Sequence, residues 1–194
     1  MARKKKTKKI IPYELPELDI QADKLVLGAD PGSKNFGISL VGLHKGKVTV
    51  YANSVMMCPV DSLVEFSRTS TAFLRELKGW MAYQPDGVVA ERFQTRGNGG
   101  PLIELVSSML GLIRGRYPTL PVKLTIASAW KNRVQRRFGV DLREIYPEIA
   151  VQPHQLDAAL IGVYGLEEGL QTTIDYDLED IIAQVESTSL IGTK

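Results

Sequence analysis

Three carboxylates and one histidine are the side chains in this sequence best placed to do chemistry: Asp30, Glu91, Asp157 and His154. Asp30 closes the short apolar run Leu25-Val26-Leu27-Gly28-Ala29, and Glu91 closes Val88-Val89-Ala90. Asp157 interrupts an apolar stretch from Leu156 to Val163, and His154 precedes it by three residues, which puts both on one helical face. Each has an ordinary alternative: Asp30 as the turn residue before Pro31-Gly32, Glu91 as a surface strand end, Asp157 as a solvent-facing group, His154 as a helix cap. Together they mean more, because clustered carboxylates in a partly dry place are costly unless cations compensate them. No pair of lysines in these motifs neutralises all three, so a divalent metal is the natural compensator. Hard oxygen ligands with positions left for water and phosphate suit Mg²⁺, with Mn²⁺ as a substitute, rather than Zn²⁺. Two such ions, about 3.5–4 Å apart, activate a water and stabilise the leaving oxygen of an in-line attack on a phosphodiester.

The elements that must position these groups follow from periodicity. Leu25 to Asp30 reads as a buried strand ending in a tight turn. Phe36 to Leu43 and Val48 to Val55 read as a hairpin around His44-Lys45-Gly46-Lys47, with His44 an inert tip residue. Apolar positions in 61–82 recur at helical spacing, with Asp61 or Ser62 as the cap. Asp86 to Glu91 is a further strand, Pro101 suits the first turn of a helix running to about Arg116, and Val122 to Ile126 is the last strand. Ser128 is expected to cap a basic helix through Phe138, and 153–166 forms one more helix. Tight turns make the first three strands antiparallel, and helical crossovers make the last two parallel to the first. The result is a three-layer α/β domain, a mixed five-stranded sheet flanked by helices. Asp30 and Glu91 then emerge at one carboxyl edge, where open α/β sheets place ligands. The expected organisation is a flexible basic arm over 1–23, a domain over 24–166 and an acidic, weakly periodic extension over 167–194.

Charge is segregated along the 194 residues although the net is only +2. Residues 1–9 hold Arg3, Lys4, Lys5, Lys6, Lys8 and Lys9 with no acid. Residues 92–143 hold ten basic residues against Glu104 and Asp141, and 144–194 hold ten acids against Lys194. Such segregation suits a polyanion-binding face. Arg133, Arg136 and Arg137 cluster beside Trp130 and Lys131, which reads as a phosphate-and-base platform. No run approaches the ~20 apolar residues of a membrane span, and no apolar leader follows the basic N-terminus. The one cysteine, Cys58, excludes an internal disulfide and reads as a small half-buried hydrophobe. A soluble, cytoplasmic protein is expected.

The motifs resemble those of the RuvC-type Holliday junction resolvases. Gly28-Ala29-Asp30-Pro31-Gly32-Ser33 with Asn35-Phe36-Gly37 is similar to that family's opening motif, and Val88-Val89-Ala90-Glu91-Arg92-Phe93 to its second. Ala127-Ser128-Ala129-Trp130-Lys131 and His154-Gln155-Leu156-Asp157-Ala158-Ala159 are similar to the later two, and the likeness spans about residues 25–166. The strand order resembles the ribonuclease H-like architecture of the same family.

The resemblance implies a homodimeric, Mg²⁺-dependent endonuclease that cuts four-way DNA junctions by paired symmetric nicks. It makes Asp30, Glu91, His154 and Asp157 the metal and catalytic set, with two ions per site and Lys131 as a phosphate contact. Histidine at position 154 stands where many members carry aspartate. The basic arm and acidic tail lie outside the family core and suit a divergent, phage-encoded or organellar relative. Arg96, Lys131, Arg133 and Arg136 are expected to hold the DNA backbone, and Phe93 either stacks on an unpaired base or joins the core. Gly97-Asn98-Gly99-Gly100 leads into a helix N-terminus suited to a phosphate, or is a plain loop. Two alternatives remain: a flap or fork nuclease of the same fold, and a non-catalytic binder of branched nucleic acid. A sugar-kinase-like phosphotransferase is set aside, because the chain has no second phosphate loop and no Gly-x-x-x-x-Gly-Lys-Ser/Thr motif.

Overall fold

The computed structural model describes residues 17–32, 35–57, 63–92 and 100–189. Cys58, the Asp61 and Ser62 cap candidates, the segment carrying Phe93, Arg96 and the glycine run 97–99, and the basic run 1–9 all lie outside the described residues. Five strands, β1 (Lys24–Pro31), β2 (Asn35–His44), β3 (Lys47–Met57), β4 (Gly87–Glu91) and β5 (Val122–Thr125), form one sheet of order β3-β2-β1-β4-β5. β1 runs antiparallel to β2 and parallel to β4, and β4 runs parallel to β5. The β2–β3 hairpin turns through Lys45 and Gly46, both at positive φ (50° and 82°), which matches the right-handed twist of the strands it joins.

Strand periodicity divides the core in two. Leu25, Leu27 and Ala29 of β1, with Val88 and Ala90 of β4, face helices α1 (Leu63–Met81) and α2 (Gly100–Arg116), meeting Phe73, Leu77, Trp80, Met109 and Ile113. Val26 and Val89 belong to the opposite core, with α3 (Ala127–Phe138), α4 (Leu142–Ile145), α5 (Pro153–Leu170) and α6 (Leu178–Ser187). A period of two therefore places Asp30 and Glu91 on the α5 side of the sheet.

α5 lies close to that face because two strand residues have no side chain. A Cβ at Gly28 would stand 2.0 Å from the carbonyl oxygen of Ala158, and one at Gly37 would stand 1.9 Å from that of His154. α5 is buried along most of its length, with Leu156, Leu160, Ile161 and Val163 all in the core.

Two expectations need correction. Ser128 does not cap α3: β5 feeds the helix through Ile126 alone, and that N-cap makes no side-chain bond. The acidic segment from 167 onward is not appended to the domain but built into it. α5 continues to Leu170, and α6 sends Leu178, Ile181 and Val185 into the core. Its acids, Glu179 and Asp180 among them, occupy the exposed positions between these apolar ones, so composition hid an amphipathic helix. Fully buried Asn53 of β3 completes the join: its amide donates to Val185 O (2.7 Å) and Thr188 Oγ1 (3.0 Å) and accepts from Gln155 Nε2 (2.6 Å).

Candidate active site

Asp30 is the penultimate residue of β1 and Glu91 the last of β4, each one residue past the Ala29–Ala90 pairing of two parallel neighbours. Their carboxylates therefore leave the same edge and the same face. The first two turns of α5 lie across that face and carry His154 and Asp157. Gln152 ends the preceding coil, and its backbone N–H donates to Gln155 Oε1 at 3.1 Å, which fixes where the helix begins.

His154 Nδ1 lies 2.6 Å from Asp30 Oδ2. An ionised carboxylate can only accept, so the imidazole proton sits on Nδ1 and Nε2 is left as the acceptor of the neutral ring. Asp157 is buried, and both of its oxygens are engaged: Tyr146 donates its hydroxyl to Oδ1 at 2.5 Å, and Lys131 Nζ bonds Oδ2 at 2.9 Å. Among the described residues Glu91 accepts one bond, from Trp130 Nε1 to Oε2 at 2.8 Å.

These groups form one electrostatic unit. Desolvation is the largest effect on Glu91 and raises its pKa, the charge of Asp30 adds to the rise, and the Trp130 bond opposes it. Burial likewise raises Asp157; Lys131 pulls it back, and Asp30 pushes it up again. His154 is raised, chiefly by its bond to Asp30 and against its own desolvation. Tyr146 is pushed well above the ordinary phenol range by burial and by Asp157 beside it, so it stays a donor at any working pH.

The structure thus brings Asp30, Glu91, His154 and Asp157 to one edge, and adds three neighbours in roles the sequence did not suggest. Trp130 is completely buried and bonded to Glu91, so it is not a platform on which a base stacks. The signal was available: Trp130 and Val134, four residues apart, are the buried stripe of an otherwise polar α3. Lys131 extends from the same helix onto Asp157, with its ammonium 4.8 Å from the centre of the Trp130 ring. Tyr146 follows the single turn of α4, and nothing in its local sequence marks it.

Of the residues expected to hold DNA, Arg133 bonds Glu167 Oε2 at 2.8 Å, and Arg137 bonds Ile174 O and Asp175 near the same buried glutamate. Arg136 is exposed and makes no ion pair among the described residues.

Among the described residues, no three His, Cys, Asp or Glu side chains converge closely enough to cradle an ion as they stand. The donor chemistry nevertheless fits a hard divalent cation. Burial and mutual repulsion raise two carboxylates at this edge, a deficit of positive charge that Lys131 reduces for both but bonds only at Asp157. Among the described residues, Asp30 Oδ1 and Glu91 Oε1 remain without a hydrogen-bond partner.

No protein-family model matches the sequence, and no curated protein matches it. Solved structures do. RuvC of Thermus thermophilus in complex with a Holliday junction substrate is 21% identical, with a TM-score of 0.57, over 77% of this chain and 98% of that one. A second Thermus thermophilus RuvC structure is 20% identical, with a TM-score of 0.56, over the same shares. The fowlpox virus Holliday junction resolvase is 15% identical over 75% of this chain and 99% of that one, with a TM-score of 0.46. At these identities the likeness is one of fold: a mixed five-stranded α/β sheet flanked by helices, as in RuvC. No helix among the described residues is long and apolar enough to cross a membrane.

Proposed function

We propose that this chain is a divalent-metal-dependent endonuclease that resolves four-way DNA junctions by paired symmetric nicks. The observation that carries the reading is the convergence of Asp30 and Glu91, from adjacent parallel strands, on the His154 and Asp157 turns of α5. The Thermus RuvC of similar fold was captured with a Holliday junction, which supports branched DNA as the substrate.

Asp30 and Glu91 would hold Mg²⁺ or Mn²⁺ through the oxygens left over from His154 and Trp130. Asp157 has both oxygens engaged and would be available to a second ion only with Lys131 withdrawn. The bound cations would supply the Lewis acidity that activates water and steadies the departing 3′-oxygen, leaving a 5′-phosphate. His154 has its Nδ1 proton on Asp30 and presents Nε2 as an acceptor toward an incoming water or cation. Lys131, once released from Asp157, would be a cation within reach of the scissile phosphate. Exposed Arg136 suits the DNA backbone, and each such phosphate contact would add to the fall of affinity with salt. Paired nicks across a two-fold substrate call for two copies of the chain related by the same symmetry.

The test compares four-way, flap and linear duplex DNA with Mg²⁺ or EDTA, beside Asp30→Asn. Cleavage of the four-way junction that needs Mg²⁺ and is lost in Asp30→Asn is the expected result. Binding without metal-dependent cutting would make the protein a binder, and faster cutting of flaps would overturn the substrate. Cleavage indifferent to Asp30→Asn would remove the metal assignment.

A further inference from the structure

The chain has two tryptophans, both wholly buried and on opposite faces of the sheet, and they differ in one respect. Trp80 fills the core beneath α1, and its indole N–H has no hydrogen-bond partner among the described residues. Trp130 fills the core beneath α3, and its indole N–H donates to Glu91 Oε2 at 2.8 Å. Core packing in this protein therefore tolerates an unmatched indole, and the bond at Trp130 calls for another reason.

Glu91 supplies one. It closes a strand at the candidate site, with Asp30 and Asp157 both adding to the cost of its charge. A lysine in place of the indole would neutralise the carboxylate and compete with a cation for it, as Lys131 does at Asp157. An indole N–H carries no charge, donates a single bond, and is held by a fully buried ring that cannot change rotamer without opening the core. It occupies one oxygen of Glu91 and leaves Oε1 without a partner among the described residues.

Resting on the metal reading above, we propose that Trp130 is a positioning residue: by anchoring Oε2 it presents Oε1 of Glu91 to the divalent cation, and its indole registers the arrival of that cation. Loss of an outer hydrogen-bond partner of a ligand typically weakens metal affinity about 10–100-fold.

The experiment uses the full chain without DNA, so that it reads cation binding and not turnover. In a Trp80→Phe background Trp130 is the sole fluorophore of its type. Mn²⁺ is titrated while free ion is followed by paramagnetic resonance and indole emission is recorded in parallel. The emission should change saturably at the same Mn²⁺ concentration as binding, and Glu91→Gln in that background should abolish the change while leaving Trp130 in place. In the same background tryptophan is then replaced biosynthetically by benzothienylalanine, which keeps the shape of the ring and removes only the N–H. Mn²⁺ affinity should fall about 10–100-fold with the unfolding temperature little changed, a split that a packing role alone would not give. Mn²⁺ binding that leaves the emission flat, or that survives the benzothienyl replacement unweakened, overturns this inference while the metal reading stands. No Mn²⁺ binding by the unsubstituted chain overturns both.

Discussion

Gly37→Ala tests the placement of α5 with a single methyl group. The new Cβ would stand 1.9 Å from the carbonyl oxygen of His154 and 2.6 Å from its carbonyl carbon, whereas a real Cβ essentially never comes closer than 3.0 Å. The obstacle is helix backbone, not a side chain that can swing away, so the start of α5 must retreat from β2 by about 1 Å. Overpacking of this kind costs about 1–3 kcal/mol, and for a domain of this size each kcal/mol lowers Tm by about 2–4 °C. The same retreat stretches the 2.6 Å contact between His154 Nδ1 and Asp30 Oδ2 past the limit of a hydrogen bond. Displacement of a working group by about 1 Å costs on the order of 100-fold in rate. Circular dichroism melting and cleavage of a four-way junction should therefore both respond, the second more than the first. Gly111→Ala is the matched control. It sits inside α2 with nothing within 4 Å of the added methyl, and helix propensity makes it stabilising by about 0.5–1 kcal/mol. A Gly37→Ala protein that melts and cuts like the unsubstituted chain would refute the packing argument. One that melts lower but cuts normally would refute the claim that α5 sets the site.

Three further outcomes follow from the same geometry. Glu91→Gln should raise Tm at pH 7–8 while removing cleavage. Burial and the charge of Asp30 raise the glutamate's pKa, so its ionised form weighs against the fold, and the gain should shrink toward pH 4.5 as the native side chain takes up its proton. His154 is raised by Asp30, so its contribution to stability is full below pH 6.5 and lost as pH climbs through the higher folded value. The Tm advantage over His154→Asn, measured across that range, should narrow with rising pH, while cleavage increases as Nε2 becomes free to accept. Asn53→Ala should cost about 2–3 kcal/mol, because it strands partners on α5, on α6 and on the residue just after α6; hydrogen exchange in α6 should speed up well before the sheet responds.

The fold was legible because its signals are local and repeated. Three strands linked by tight turns, then strands reached through helices, leave few arrangements of a single sheet, and the bounds expected for β1, β2 and α3 fall within two residues of those observed. Asp30 and Glu91 were legible for the same reason, since an acid ending an apolar strand lands at an edge. What stayed hidden depends on contacts between segments far apart in the chain. Tyr146 reaches Asp157 only because the turn after α4 lies beside α5. Arg133 looked like a phosphate ligand because its partner, Glu167, is thirty-four residues away and 2% exposed. α6 looked like an acidic tail because only three of its ten residues are fully buried apolar anchors, which mean little until β3 offers Asn53 and a surface to pack on. Charge segregation in sequence was thus partly resolved in space: Arg133 and Arg137 of the basic block meet Glu167 and Asp175 of the acidic one.

That pairing changes what the basic block can do. A helix whose arginines are bound to the domain's own acids contributes rigidity, and it leaves a short list of groups for a polyanion, with Arg136 the clearest on α3 among the described residues. At the site the same accounting applies to oxygens. Three carboxylates carry six, of which His154, Trp130, Tyr146 and Lys131 engage four among the described residues. The two that remain belong to Asp30 and Glu91, on neighbouring strands whose separation the backbone hydrogen bonds of the sheet hold fixed, whereas Asp157 is closed by a lysine that can move. A cation entering from the carboxyl edge would therefore meet a rigid pair first and a displaceable contact second. In that order binding at the strand ends would precede the release of Lys131, and a Lys131→Met variant should bind Mn²⁺, followed by paramagnetic resonance, at least as tightly as the unsubstituted chain, since a competing positive charge is gone, while losing cleavage at the step that needs a freed ammonium near phosphate.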